Sequence, residues 1–512
     1  MLPPARIACL TGWLIGGCWM VVGPGPAGAW QTTEKPPATS TEQPVDIGNR
    51  RELFVDSFLI DSLQNCQLEM HHPVPAEIVI RFDRPWEGAF AGYGTVIFDD
   101  PVYRMYYRGL PESGKDGTNR EVTCYAESAD GIHWTKPDLG LYEYHGDKRN
   151  NIVLMNQAPL SHNFAPFLDR RPNVPANQRF KALAGTESSG LVAFASPDGR
   201  RWQRLQEEPV FRDGMFDSQN ISFWSDSENR YVCYFRTWTG EGYSGFRTVS
   251  RTTSDDFLDW SAPEEMQFGD TPAEHLYTSQ TTPYFRAPHI GVALAARFVP
   301  GRRVLTAADQ QRVGIETRYA GDCSDTVLMT TRGGDRFDRT FMESFVRPGP
   351  GAENWVSRSN YMVRGIVPNG ADELSIYLSR NYGQDSACLQ RLTLRTDGFA
   401  SLAAGFEGGQ CRTRVIRFRG DGAGETGQPA GACQLTLNVS TSAAGGVEVA
   451  LLKPDGTPIP GFSFDDCDTI TGDAIDRVVS WSGQSDVSRL SGQPLRLAFR
   501  LQDADVFSFR FR

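Results

Sequence analysis

Five times along this chain a group of strand-like runs ends in a tight turn that sets Asp or Gly just ahead of an aromatic residue. The turns span Ser128–Trp134, Ser196–Trp202, Ser254–Trp260, Arg332–Phe337 and Arg395–Phe399. Asp and Gly suit the sharp backbone of a hairpin, and the aromatic suits packing between neighbouring units. Each turn follows three runs rich in aromatic and β-branched residues, such as Gly94–Phe98, Tyr103–Tyr107 and Val122–Tyr125 in the first unit. Five such units predict a closed five-bladed β-propeller over residues 50–404. Roughly 58 to 78 residues separate successive turns, more than the ~40 to 50 of the shortest blade repeats. The excess leaves room for long loops on one face, where a rigid scaffold usually carries its site.

From about residue 405 the repeat stops, and Gly420–Gly431 reads as a Gly-rich linker. Beyond it the runs Cys433–Val439, Val447–Leu452, Arg477–Trp481, Pro494–Arg500 and Val506–Phe511 alternate as half-buried strands. They predict a β-sandwich over residues 405–512. The fold class expected is therefore all-β, a five-bladed β-propeller followed by a C-terminal β-sandwich.

Residues 1–29 have the layout of a secretory signal: Arg6, an apolar stretch from Ile7 to Val22, then Ala27-Gly28-Ala29 before Trp30. Residues 30–49 read as a flexible leader, so a secreted or periplasmic location is expected. The run Ile15-Gly-Gly-Cys18 offers a competing reading, lipoprotein anchoring through Cys18. No other segment approaches the ~20 apolar residues of a membrane span. A net charge of −11 argues against sequence-independent binding to nucleic acid or an anionic membrane. The cysteines beyond Cys9 and Cys18 are widely spaced without a zinc pattern, and Cys124 and Cys233 read as buried thiols. The acidic run Asp465, Asp466, Asp468 reads as a solvated turn, and neither a metal nor a cofactor is expected.

Five blades followed by a sandwich resemble the propeller glycoside hydrolases, as in the invertase-like family 32 enzymes, over about residues 50–512. The family's W-M-N-D-P-N-G, Arg-Asp-Pro and Glu-Cys patterns are absent. The resemblance implies an oligo- or polysaccharide substrate and a central pocket with two carboxyls, one protonating the leaving oxygen, the other serving as base or nucleophile.

Inner-strand entries converge on the centre of a propeller, and here every entry carries an acid, a histidine or an amide. They are Glu87, then His162 and Asn163, then Asp217 with Asn220, then Glu274 to Gln280, then Glu353 to Asn360. Asp217, Glu274, Glu87 and Glu353 are the catalytic candidates. Asp217 sits among amides and hydroxyls that hold a carboxylate ionised; Glu274, beside His275, Leu276 and Tyr277, has a less polar surround that raises a carboxyl pKa. The plainer alternative has Asp217 capping a turn and Glu274 solvated.

Second strands end in Arg108, Arg236, Arg297 and Arg380. Such a ring suits the carboxylate or sulfate of an anionic sugar, or else pairs with acids such as Asp217 and Glu274. His162, Asn163, Asn220, Tyr277, Gln280 and Asn360 complete the expected substrate-binding set. Trp86, Tyr93, Trp238, Tyr243 and Trp355 join Tyr277 as residues able to stack on sugar rings. The sequence thus points to an exported glycoside hydrolase acting on an anionic glycan, with a glycoside phosphorylase or a non-catalytic glycan-binding propeller as alternatives.

Overall fold

The computed structural model describes residues 43–420 and 432–512. The expected signal, Cys18, the leader up to residue 42 and linker residues 421–431 lie outside the described residues. Five separate sheets form the blades, and their inner strands are Gly92–Asp99, Ala165–Leu168, Ile221–Ser225, Thr282–Tyr284 and Val367–Asn369. Each inner strand pairs antiparallel with the next strand outward, and four of the five sheets have four strands. β-Branched and aromatic residues dominate the second strands, so Tyr106, Tyr107, Tyr231, Tyr234 and Tyr377 are fully buried between blades.

The ring closes by borrowing. Val74–Arg81, which precedes blade one in the chain, pairs antiparallel with Cys388–Arg395 as the outermost strand of blade five. A second fastening lies at the axis, where Val96 N–H donates to Arg364 O at 2.7 Å and Arg364 N–H to Gly94 O at 2.9 Å. Sequence periodicity assigned three strands to blade five and did not foresee the fourth, which lies about 300 residues away in the chain.

The repeated turns act as the joints between blades. In the first, Ser128 Oγ accepts from Gly131 N–H at 2.9 Å, and Asp130 Oδ1 accepts from Ile132 and His133 N–H, both at 2.8 Å. Asp198 and Asp256 repeat the arrangement at the same distances. These bonds hold Gly131, Gly199 and Phe257 at φ of 72°, 72° and 76°. Their carbonyls or side chains then face the preceding blade. Tyr377 of blade five donates to Gly131 O at 2.6 Å, and Tyr106 of blade one to Gly199 O at 2.7 Å. A Cβ at Gly199 would lie 2.5 Å from the Tyr106 hydroxyl, so glycine is required there. In blade three the Phe257 ring packs on Phe167 of blade two instead, and in blade four Phe337 packs on Tyr234 of blade three. Blade five uses Asp397, which accepts from Tyr284 Oη of blade four at 2.7 Å.

The C-terminal β-sandwich is organised by two long strands, Leu435–Leu452 and Pro494–Phe511, paired antiparallel with a register shift at Gly446 that lets them bend. Strands within residues 45–70 pair into this domain as well. Its core includes Phe54, Trp481, Phe499 and Phe509, with Phe418 stacked on Phe511 at 3.8 Å. Cys124 and Cys233 are free buried thiols. No helix among the described residues is long and apolar enough to cross a membrane.

Charged groups link the sandwich to blades four and five. Buried Glu52 accepts from Arg332 at 2.7 Å and lies 3.2 Å from His289, while Asp397 lies 3.5 Å from Arg51. Burial alone would raise the Glu52 pKa, but His289, Arg332 and Arg50 outweigh it and bring it down to about 2. A carboxylate depressed in the native state stabilises above its unfolded pKa and loses that contribution as pH falls through the native value. The stability difference between wild type and Glu52→Gln is therefore expected to be full at pH 7 and to shrink between about pH 4.5 and 2; denaturant melts across that range measure it. At the closing joint, Tyr377→Phe removes the cross-blade donor to Gly131 O, which keeps Trp134 Nε1, and should cost about 0.5–1.5 kcal/mol in the same assay.

Candidate functional site

Chain direction reverses sharply where inner strands begin. Tyr93, Asn163, Gln280 and Asn360 take left-handed backbone at φ of 49°, 49°, 52° and 62°, and Arg358 does so at 64°. Asn adopts this conformation readily, whereas Tyr, Gln and Arg hold it at a cost of about 1–3 kcal/mol each. Left-handed backbone thus recurs near the inner-strand entries of blades one, two, four and five, and in blades one, four and five it is strained. Below them the axis is filled. Gln219 donates to Tyr93 O at 2.8 Å, and Gln280 donates to Gln219 Oε1 at 2.6 Å and Met362 O at 2.8 Å.

Above this plug lies a cavity of about 330 Å³. Asp217 enters it from blade three just ahead of the inner strand, and Asp116 from the loop after the second strand of blade one. Trp238, Tyr243, Tyr277, Phe298 and Tyr319 supply aromatic walls, and Arg236, Arg247, Arg318 and Arg358 supply cations. Much of the far wall comes from blade four, where residues 300–322 form a long insertion carrying the helix Ala307–Val313. That helix is stopped at both ends by sequence, with a Thr306/Asp309 capping box and left-handed Gly314.

Arginines set the charge state of the site. Arg108 is buried beneath the cavity, donating to Asp116 Oδ1 at 3.0 Å, Asn163 Oδ1 at 3.2 Å and Tyr382 Oη at 3.0 Å. Burial would raise the Asp116 pKa, but the guanidiniums of Arg108 and Arg358 outweigh it and hold the carboxyl below its ordinary value. Arg236, also buried, donates to Asp217 Oδ1 and lies over the Tyr277 ring at 4.7 Å. Asp217 remains half exposed to the cavity. Arg247 is different: it is wedged against Trp238 at 4.4 Å and Phe298 at 4.5 Å, and its Nε has no partner. No carboxylate lies within ion-pair distance of it among the described residues. Burial and the neighbouring Arg236 lower its pKa.

Behind this wall, Glu121 is fully buried, accepting from Gly117 N–H at 2.7 Å, Asn163 N–H at 3.2 Å and His162 Nδ1 at 3.0 Å. Asn163 Nδ2 faces His162 Nε2 at 3.1 Å, which assigns the imidazole proton to Nδ1. Among the described residues, no group of three His, Cys, Asp or Glu side chains is placed to hold a metal ion.

Of the residues expected from sequence, the cavity gathers Asp217, Arg236, Tyr277, Trp238 and Tyr243, with Arg108, His162 and Asn163 directly behind. Asn220 and Gln280 lie deeper, buried near the axis. Glu274 is not at the cavity, and its surround is not apolar: Arg297 donates to it at 2.8 Å and Arg339 at 2.7 Å. Arg297 faces away for the same reason, held by Asp325 on the adjacent strand at 2.6 Å. Glu87 is fully buried and takes Tyr107 Oη at 2.6 Å and Lys136 at 2.7 Å. Glu353 lies on a short 3-10 turn, paired with Arg312 at 3.0 Å. Arg380 is captured by Asn360 Oδ1 at 2.6 Å and lines another cavity. Trp86 donates to Asn151 and Trp355 to Gly349 O, both away from the cavity walls.

Sequence reasoning missed Asp116, Glu121, Arg247, Arg318, Arg358 and Tyr382. Most belong to loops after second strands or to the positive-φ entry of blade five, whereas the sequence search followed inner-strand entries and the last residues of second strands. The length of the blade-four unit was the available signal.

No protein-family model matches the chain, and no curated protein does. Solved structures share its outline. An N-acetylgalactosamine deacetylase from F. plautii, in complex with blood group B trisaccharide, is 14% identical over 65% of this chain and 96% of that one, with a TM-score of 0.43. A β-1,2-mannobiose phosphorylase from Listeria innocua is 11% identical over 64% and 97%, at 0.39. A fructofuranosidase from Schwanniomyces occidentalis is 9% identical over 92% and 99%, at 0.34. Likenesses of this degree carry no inference about the chemistry of the cavity.

Because two cations hold Asp116 ionised, removing one must raise its pKa. Arg358→Gln is expected to shift the Asp116 carboxyl upward in a ¹³C-detected titration; an unchanged midpoint would show that Arg358 does not act on it.

Proposed function

We propose that this chain is an exported carbohydrate-active enzyme that cleaves a glycosidic bond at the end of an anionic glycan. The observation that carries the reading is one small cavity in which Asp116, Asp217 and Asp322 stand among aromatic walls and arginines, one of which, Arg247, has no carboxylate partner. Aromatic faces such as Trp238 and Tyr277 suit the apolar faces of sugar rings. Arg108 pairs with Asp116 and Arg236 with Asp217, which leaves Arg247 free to meet a uronic carboxylate or a sulfate. A cavity of about 330 Å³ above a filled axis takes a chain terminus rather than the middle of a polymer. Export rests on the N-terminal sequence alone.

In this reading Asp217, half exposed and bonded to Arg236, is the base or nucleophile. Asp116 is the second carboxyl and must carry a proton to the leaving oxygen. An anionic substrate supplies the means. A carboxylate or sulfate held at Arg247 adds a negative charge to the cavity that Asp116 shares, and that charge raises the Asp116 pKa. The cleavage would thus be coupled to the charge of the substrate.

The unpaired guanidinium of Arg247 also favours a second reading, phosphorolysis, in which inorganic phosphate occupies it and replaces water as nucleophile. Incubating the protein with terminal uronic, sulfated and neutral oligosaccharides, with and without phosphate, separates the two readings. Asp217→Asn is expected to lower turnover by about 100-fold or more. Arg247→Met is expected to raise KM for the anionic substrate while leaving a matched neutral one unchanged. Equal losses on both would remove the charge argument, and binding without cleavage in every arm would make the protein a glycan-binding propeller.

A further inference from the structure

At the other end of the axis the inner strands open into a second cavity, of about 740 Å³. Every blade contributes to it: Phe98, Phe167, Trp224, Phe285 and Arg364 come from blades one to five in turn. Aromatic rings make up much of the wall, and Arg364, only 5% exposed, is the buried cation among them.

Arg364 reaches from blade five across the axis. Its Nη1 donates to Pro166 O of blade two at 2.9 Å and its Nη2 to Ser222 O of blade three at 3.2 Å. Its Nε has no partner. A guanidinium carries five N–H groups, so two carbonyl bonds leave the Nε edge unused. No carboxylate lies within ion-pair distance of it among the described residues, and Asp99, the buried acid at this mouth, is taken by Arg104 and Arg179. The thiol of Cys233 is the nearest ionisable neighbour, but burial pushes its pKa up, so it stays neutral and offers no counter-charge. Burial lowers the Arg364 pKa to about 10, which still leaves it protonated at neutral pH. A buried cation bonded only to carbonyls is an expensive arrangement, and a counter-ion relieves it.

We propose that this lower mouth binds a small singly charged anion at Arg364, either a halide or the carboxylate of a compact organic acid whose body rests on the aromatic walls. The site is separate from the upper cavity, and the proposal does not depend on the function assigned there.

Thermal midpoints of the full chain, titrated with sodium bromide or sodium benzoate at constant ionic strength in HEPES, test it. Wild type should rise saturably with at least one of them. Arg364→Met, which keeps the volume and removes the charge, should lose the rise, and Arg247→Met should retain it. A rise with bromide alone identifies a bare-ion site, and a larger rise with benzoate an organic-acid site. Anomalous scattering from bromide-soaked wild-type crystals, or benzoate density in parallel crystals, should place the anion within hydrogen-bond reach of Arg364. This arm decides the matter if Arg364→Met fails to fold. Midpoints unmoved by either salt, or anions found only in the upper cavity, would overturn the proposal.

Discussion

A ring of blades is only as firm as its weakest joint, because each blade is held by two neighbours and an open joint frees both. In this protein the joint is a turn that reaches back to the blade before it. The Ser and Asp side chains close the turn on itself, and the closed turn presents a carbonyl, a ring or a carboxylate to a buried aromatic of the preceding blade. The Tyr377–Gly131 joint spans 246 residues of sequence, yet it has the same chemistry as the Tyr106–Gly199 joint, which spans 93. Blade five therefore meets blade one as an ordinary neighbour. The borrowed strand Val74–Arg81 adds a second hold where loop closure is entropically most demanding.

Firm joints make the entries to the inner strands tolerate strain. Tyr93, Gln280 and Arg358 would relax out of left-handed backbone in a looser frame, and their side chains would leave the axis. Held there, they seat the upper cavity: Tyr93 carries Arg108 over its ring at 4.4 Å, and Arg108 in turn orients both Asp116 and Asn163. The chemistry at the mouth thus depends on hydrogen bonds at the turns some distance away.

How much of this was legible in sequence follows from what sequence encodes locally. The turns were readable because Ser, Asp, Gly and Trp recur at fixed spacing, and five of them imply five blades. Asp217 and Arg236 were readable because strand entries and strand ends converge in any propeller. Glu274 and Arg297 occupy equivalent positions and yet stand outside the cavity, because Arg339 and Asp325 are near enough to capture them. Local pattern does not reveal which partner a charged side chain finds first. Asp116, Arg247 and Arg358 were hidden for another reason: they lie on or beside loops whose course depends on the packing of blades they do not belong to. The closing strand Val74–Arg81 was hidden because its partner is at the far end of the ring.

Charge pairing also explains why the two ends of the axis differ. Arg108 and Arg236 are buried, but each has a carboxylate, so burial there fixes geometry without leaving charge uncompensated. Arg247, at the cavity wall, lacks a carboxylate and uses aromatic faces instead, which stabilise a cation less than an ion pair of good geometry does. Such a group discriminates in favour of anions because it gains more from one than a paired arginine would. Arg364 lacks both carboxylate and solvent. Its carbonyl bonds tie three blades together across the axis, and a neutral side chain of similar length would give up those bonds but also the buried charge. Retaining a guanidinium at that point is a balance between fastening the ring and burying a cation, and an anion within its reach shifts the balance toward the fold.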